Sequence, residues 1–285
     1  MSETRFARVL SEARELGRAV GAFTCYNFEQ LHAVVSAAED RRAPAIVLIS
    51  PASFRDSGGK RLVRGFKGVT EDASVDVLLQ LDHVPDQKLI EWAAACGVDA
   101  IMADGSKLPY DENLSFTRSV VSSMRGLGVG VEAELGRIEG QEDEAIEATA
   151  GAMTDPAEEK RFRDESGVDC LAVSVGNVHG HYSGTPELDW SRLDEIRNRD
   201  ILPLSLHGAS GLPDEDLRRA TSLGVAKLNV NTELRAAYFG RLKEELDPSS
   251  QTLNLKHLGD RLKEAVYDVV EKKLTAFGWP EDGET

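Results

Sequence analysis

A chain of 285 residues with a formal net charge of −16 and a pI near 4.9 repels nucleic-acid phosphates and anionic membrane on average, so neither is an expected partner. Hydrophobic residues at 41% against 29% charged exclude a disordered chain and suit one large α/β domain, read as a single unit over residues 1–285. Three cysteines (Cys25, Cys96, Cys170) and no long apolar run exclude a disulfide scaffold and a membrane-spanning helix, and they suit a reducing cytoplasm.

In chain order, Met1–Gly21 mixes charges with apolar residues at helical spacing and lacks the uninterrupted apolar stretch of a secretory signal. Short β-rich runs then alternate with amphipathic patterns. The spacing predicts strands near Ala22–Tyr26, Ala45–Ser50, Val75–Leu81, Ala100–Ala103, Gly128–Ala133, Cys170–Val175, Leu202–Leu206 and Ala226–Val230. Helices are predicted over Glu29–Glu39, Pro85–Ala95, Asn113–Arg125, Asp155–Ser166, Trp190–Arg197, Pro213–Leu223 and Thr232–Glu245; Pro51–Ala73 is the least clear connection. Leu253–Phe277 reads as one or two extra helices. Their stripe of Val269, Val270 and Leu274 would cover the barrel or a neighbouring subunit of a homodimer or homotetramer. Eight β-then-α units match a (β/α)₈ TIM barrel with extra C-terminal helices. A doubly wound sheet, the main rival, would carry a Gly-rich turn after its first strand, where Asn27 stands instead.

In such a barrel, chemistry sits at the C-terminal ends of the strands. The eight predicted ends carry Asn27, Ser50, Asp82-His83, Asp104, Glu134, the run Gly176–Gly180, the run His207–Gly211, and Asn229-Val230-Asn231-Thr232. Three of the six histidines, His83, His179 and His207, fall at these ends. Three imidazoles with one open position is the ligand count of a catalytic Zn²⁺ site, though imidazole suits other divalent ions. His181 is a rival ligand; His32 and His257 lie in helical patterns. Asp82 reads either as a general acid/base or as the cap of the helix near Pro85. Both Asp82 and His83 can face the site only if the chain turns at this pair, because strand neighbours point to opposite sides. Asp104 and Glu134 could form an outer shell or a second metal position. The turn Gly208-Ala209-Ser210-Gly211 and the helix start at Thr232, read as an N-cap, follow the two strands where barrels often bind phosphate. An acidic protein binding a phosphorylated metabolite needs such a local positive potential. No lysine ends a strand at a site position, since Lys227 lies within the eighth strand, so a Schiff base is disfavoured.

Asp82-His83, the run Glu132–Gly136, His179-Gly180, His207–Gly211 and Asn229–Thr232 together resemble the class II, metal-dependent ketose-bisphosphate aldolases, of fructose- and tagatose-bisphosphate type, from about Gly21 to Phe277. The resemblance implies a divalent metal, usually zinc, on His83, His179 and His207, with Asp104 and Glu134 at a second metal position. It implies that Asp82 moves the proton of the C4 hydroxyl. It also implies that Glu142, in a mobile loop over Arg137–Thr154, moves the C3 proton of dihydroxyacetone phosphate. Gly180, Gly208, Ala209, Ser210 and Asn229–Thr232 match the family's phosphate site, where Na⁺ or K⁺ also binds. The chain departs from the pattern at Thr24, Leu48, Val84, Ser183 and Asn231, which puts the second product in doubt. The open alternatives are an aldolase for another ketose 1-phosphate or deoxy-keto sugar-acid phosphate, a metal-dependent barrel isomerase or hydrolase, and a non-catalytic relative.

Overall fold

The computed structural model describes residues 3–56, 58–140, 147–148, 150–182, 184–198, 202–246 and 254–280. Among them, eight parallel strands close into a barrel: β1 (Val20–Thr24), β2 (Ala45–Ile49), β3 (Val77–Val84), β4 (Ala100–Ala103), β5 (Gly130–Leu135), β6 (Cys170–Val173), β7 (Leu204–Leu206) and β8 (Val225–Val230). Each strand pairs with its sequence neighbours, and β1 pairs with β8 to complete the ring, with Val20 opposite Lys227 and Phe23 opposite Val230. β2, Ala-Ile-Val-Leu-Ile, is apolar without alternation because both of its faces are buried.

Helix α1 (Arg5–Glu15) precedes the barrel and buries Phe6 and Leu10. The outer ring is α2 (Phe28–Asp40), α3 (Pro51–Asp56), α4 (Lys60–Thr70), α5 (Gln87–Cys96), α6 (Tyr110–Arg125), α7 (Pro156–Ser166), α8 (Trp190–Arg197), α9 (Asp214–Ser222) and α10 (Thr232–Glu245). The unclear second connection is thus two helices, α3 and α4. Side-chain caps fix several starts. Asn27 Oδ1 accepts the Gln30 N–H at 2.9 Å, and Asp86 accepts that of Lys88 at 3.0 Å. Asp155 accepts that of Ala157 at 2.8 Å, with Pro156 in the first turn.

Two expectations change here. Thr232 is the first residue of α10 rather than its cap; Asn231 holds the cap position. The Asn231 side chain pairs instead with the Tyr26 hydroxyl at 3.0 Å, and the amides of Asn231 and Glu233 go to Ser210 Oγ at 3.2 and 3.5 Å. A hydroxyl from the preceding βα loop therefore does the capping. β5 begins two residues later than expected, because Gly128 has φ +69, a left-handed conformation that interrupts extended backbone.

The tail is one helix, α11 (Leu255–Ala276), whose buried Leu262, Val266, Val270 and Leu274 recur every four residues against α2 and α10. Val269 is only partly buried. Beyond it the chain returns to β1: Ala19 N donates to Phe277 O at 3.0 Å, and Trp279 Nε1 donates to Ala19 O at 2.8 Å. No helix among the described residues is long and apolar enough to cross a membrane.

Candidate metal and substrate site

His83, His179 and His207 converge at the C-terminal mouth of the barrel. His83 Nε2 lies 3.0 Å from His207 Nδ1, and His179 Nε2 lies 3.4 Å from the same atom. His207 follows β7 directly, and His179 sits in the loop after β6. His83 lies within β3, and its neighbour Asp82 also reaches the site. The pairing of β3 with β4 slips between Leu81 and Val84, and His83 has φ +48. A bulge with a left-handed histidine thus meets the condition that both side chains face inward, where a turn was expected. Such a conformation costs a non-glycine residue on the order of 1 kcal/mol or more, which the surrounding barrel must offset. The N-cap of α5 is Asp86, not Asp82.

Carboxylates set the tautomers. Asp104 Oδ2 accepts from His83 Nδ1 at 3.0 Å, and Glu132 Oε1 accepts from His207 Nε2 at 3.0 Å. The Ser106 amide and hydroxyl fix the other Asp104 oxygen, at 3.1 and 2.7 Å. Burial opposes ionisation of Asp104, but the His83 hydrogen bond and charge and the Ser106 hydrogen bonds hold its carboxyl well below the usual range. With both outward nitrogens donating, neutral rings would turn the lone pairs of His83 Nε2 and His207 Nδ1 towards one another at 3.0 Å. Asn229 Nδ2 does not relieve this. It stands 3.1 and 3.3 Å from the two His207 nitrogens, so it lies along neither lone pair. A cation or a shared proton must sit between the rings. Two imidazoles on one Zn²⁺ at about 2.0–2.1 Å would place their nitrogens roughly 3.3 Å apart. The three histidines therefore fit a divalent metal. His83, Asp104 and Glu134 form a second possible set, one nitrogen and two carboxylates within 4.8 Å. Glu134 Oε1 accepts the Ile138 amide at 2.9 Å, while the buried Oε2 has no hydrogen-bond partner among the described residues.

The charges make an opposed pair of pH trends. Burial disfavours a charged His83, but Asp82, Asp104 and Glu134 outweigh it and raise its pKa well above the usual 6.5. Burial, and then the charge of Asp104, push Glu134 up to about 8. Burial, reinforced by its histidine neighbours, keeps His179 neutral far below 6.5. Burial and Lys227 lower His207 too, against Glu132. Between pH 6.5 and 8, folded His179 and His207 are neutral, and Asp104 is ionised in both states. The unfolded counterparts of these two histidines shed the protons still held at pH 6.5, an opposing contribution that fades above about pH 7. Only His83 and Glu134 then hold more protons folded than unfolded, so the chelated protein should lose stability as pH rises through this window. Metal must displace those protons, so its affinity should rise over the same window, up to about tenfold per pH unit for each proton displaced. Melting curves of chelated protein and competition with a metal indicator, both at pH 6.5 and 8, check the two slopes.

Beneath the histidines the barrel interior is polar. Fully buried Glu132 of β5 accepts from Gln80 Nε2 at 2.6 Å and pairs with Lys227 Nζ at 2.9 Å. Lys227 also donates to Asn229 Oδ1 at 2.6 Å, and Asn229 Nδ2 donates to Asp82 Oδ2 at 3.2 Å. One buried ammonium thereby braces the partner of His207 and the partner of Asp82. Burial opposes the charge on Lys227, but Glu132 and Asp82 raise its pKa, so it is a charged brace and unsuited to Schiff-base chemistry. Asn177, within the polar run after the sixth strand, donates from Nδ2 to His207 O at 3.1 Å.

Beside the histidines lies a cavity of about 260 Å³ whose walls include Gly180, His181, Tyr182, Ser210, Gly211 and Thr232. Three residues of the expected phosphate set, Gly180, Ser210 and Thr232, thus meet at one place. Gly208 stands behind the wall with φ +66; a Cβ there would lie 1.9 Å from Val178 O, so only glycine permits this turn. Ala209 N donates to Asn229 O at 3.0 Å, tying the β7 loop to β8, and Val230 is a buried strand residue. His181 lines the cavity and does not join the metal cluster. Asn27 and Ser50 lie outside its walls: Asn27 caps α2, and Ser50 Oγ accepts the Ser53 amide at 3.2 Å. Glu142 and Ser183 fall outside the described residues. The stem of the Glu142 loop is held more firmly than its composition suggests. Arg137 N donates to Ala152 O at 2.7 Å, His179 N donates to Glu139 O at 2.8 Å, and Glu147–Ala148 pairs with His181–Tyr182.

The class II fructose-bisphosphate aldolase family model matches residues 4–281. A crystal structure from Coccidioides immitis, provisionally named a fructose-1,6-bisphosphate aldolase, is 33% identical and superposes with a TM-score of 0.88 over 97% of each chain. The YdjI aldolase from Escherichia coli K12 is 29% identical, with a TM-score of 0.85 over 99% of this chain and 100% of that one. A fructose-bisphosphate aldolase from Campylobacter jejuni shares the fold at 20% identity, with a TM-score of 0.81 over 98% and 95%. Class II aldolases are metal-dependent, in keeping with the histidine cluster. The chain belongs to the class II fructose-bisphosphate aldolase family and is an enzyme of the aldolase type, a carbon–carbon lyase.

Proposed function

We propose that the enzyme reversibly cleaves a ketose 1,6-bisphosphate, of fructose or tagatose configuration, into dihydroxyacetone phosphate and an aldehyde such as glyceraldehyde 3-phosphate. The observation that carries this is the approach of His83 Nε2 to His207 Nδ1, 3.0 Å, beside Asp82 and a cavity at a helix N-terminus. A Zn²⁺ ion held by His83, His179 and His207 would supply Lewis acidity that stabilises the negative charge left when the C3–C4 bond breaks. Asp82, oriented by Asn229, takes the C4 hydroxyl proton in cleavage and returns it in condensation. The phosphate is received at the start of α10, between the walls that Gly180, Ser210 and Thr232 supply. Asp104 and Glu132 hold the ligand rings in one tautomer.

Glu142 is proposed to carry the C3 proton. In the Glu142→Ala protein, exchange of that proton of dihydroxyacetone phosphate with solvent should fall by about 10² or more, with phosphate binding nearly unchanged. Exchange at the wild-type rate, followed by NMR in deuterated solvent, would remove Glu142 from the mechanism. The substrate itself is tested by coupled assays on fructose and tagatose 1,6-bisphosphates and on other ketose 1-phosphates, before and after chelation. Turnover that survives complete metal removal contradicts the proposal. Turnover confined to a ketose 1-phosphate lacking a second phosphate would favour the other aldolase reading, which Ser183 supports by standing where lysine is frequent.

A further inference from the structure

Glu233 stands in the wall of the 260 Å³ cavity, where it is out of place if that cavity receives a phosphate. A carboxylate there repels a dianion. It also takes a donor, because Glu233 Oε1 accepts the Gly211 N–H at 2.6 Å. The same oxygen, however, lies 2.8 Å from Lys273 Nζ, and Lys273 is 4% exposed, its ammonium brought behind Glu233 from the C-terminal helix α11. A lysine this deeply buried is rarely retained without a partner. Here the partner is a carboxylate of the cavity wall that would otherwise oppose the substrate's charge.

We infer that Lys273 is a positioning residue for the phosphate cavity. It neutralises Glu233 and holds it as a strut under Gly211, so the β7 loop keeps its shape without presenting net negative charge to the ligand. The inference rests on the phosphate reading of this cavity. It adds α11, which lies outside the eight βα units, to the elements that determine substrate affinity. The Ser210–Glu233 contact, amide to hydroxyl at 3.5 Å, places the strut and the cap of α10 on the same residue pair of loops.

The test is the Kd for inorganic phosphate, measured by calorimetry on metal-loaded and on chelated protein. Lys273→Met leaves Glu233 charged beside the ligand and should weaken phosphate binding on the order of tenfold. Glu233→Gln keeps an oxygen for the Gly211 amide and leaves the ammonium unopposed, so it should bind phosphate as tightly as wild type or more tightly. The double variant Lys273→Met/Glu233→Gln should return to near the wild-type Kd, which a purely structural role for Lys273 would not produce. A Lys273→Met protein with wild-type Kd overturns the inference, as does a double variant no tighter than that single variant. If Lys273→Met does not fold, Glu233→Gln decides alone: weaker binding than wild type overturns the inference. Ser210→Glu separates the two levels. Unchanged phosphate binding in that variant means the anion is not in this cavity, and both the cavity's assignment and the role of Lys273 fall.

Discussion

The His207→Ala protein is expected to lose its metal and its activity together. His207 Nδ1 is the point on which the other two imidazoles converge, at 3.0 and 3.4 Å, so its removal leaves two ligands where a catalytic zinc site needs three. Lewis-acid stabilisation of a developing negative charge amounts to several kcal/mol, and each 1.4 kcal/mol is tenfold in rate. A loss of about 10³-fold or more follows. Glu132→Gln offers the graded comparison. The amide can still meet His207 Nε2 but no longer fixes its tautomer by charge, and such outer partners are usually worth about 10- to 100-fold in metal affinity. Metal content by elemental analysis, measured beside turnover, checks both. A His207→Ala enzyme that retained stoichiometric metal and wild-type turnover would displace the site from these histidines.

Asp82→Asn is expected to keep fold and metal while cleavage falls by about 10² or more. The substitution is nearly isosteric, and its amide oxygen can still accept from Asn229 Nδ2, so the buried contact survives while the proton acceptor does not. The counterpart is Asp86→Ala. It removes the cap of α5 and should cost about 1 kcal/mol of stability with normal turnover. Melting temperature and kcat on the two variants give opposite patterns. Normal turnover in Asp82→Asn would leave the site without its proton carrier.

The barrel was legible because alternating short apolar runs and helical patterns repeat eight times, and because His83, His179 and His207 recur at strand ends. What escaped lay in contacts that a linear pattern does not hold. Inside a closed barrel both faces of a strand are buried, so alternation cannot say that Glu132 and Lys227 point to the axis. Starting β5 at Gly128 also put Glu134 beyond the strand and hid the fact that Glu132, two residues earlier, shares its face. The capping of α10 by Ser210 joins residues on different loops, which made Thr232 look like the cap. Asp82 and His83 were readable as a pair, but the left-handed bulge that lets both serve the site depends on the partner strand β4.

The return of the chain end to β1 bears on how the protein is made. Ala19 N finds its acceptor on Phe277, and β1 finds its second neighbour only in Val225–Val230, so the earliest strand waits for the latest residues. On a ribosome that adds about 5–20 residues per second, the first strand is exposed for roughly ten seconds or more before the ring can shut. A nascent chain that has reached only α9 presents two unpaired sheet edges, one on β1 and one on β7, the kind of surface that recruits other strands. Until Val225–Val230 arrives, neither of those edges has its partner within the barrel.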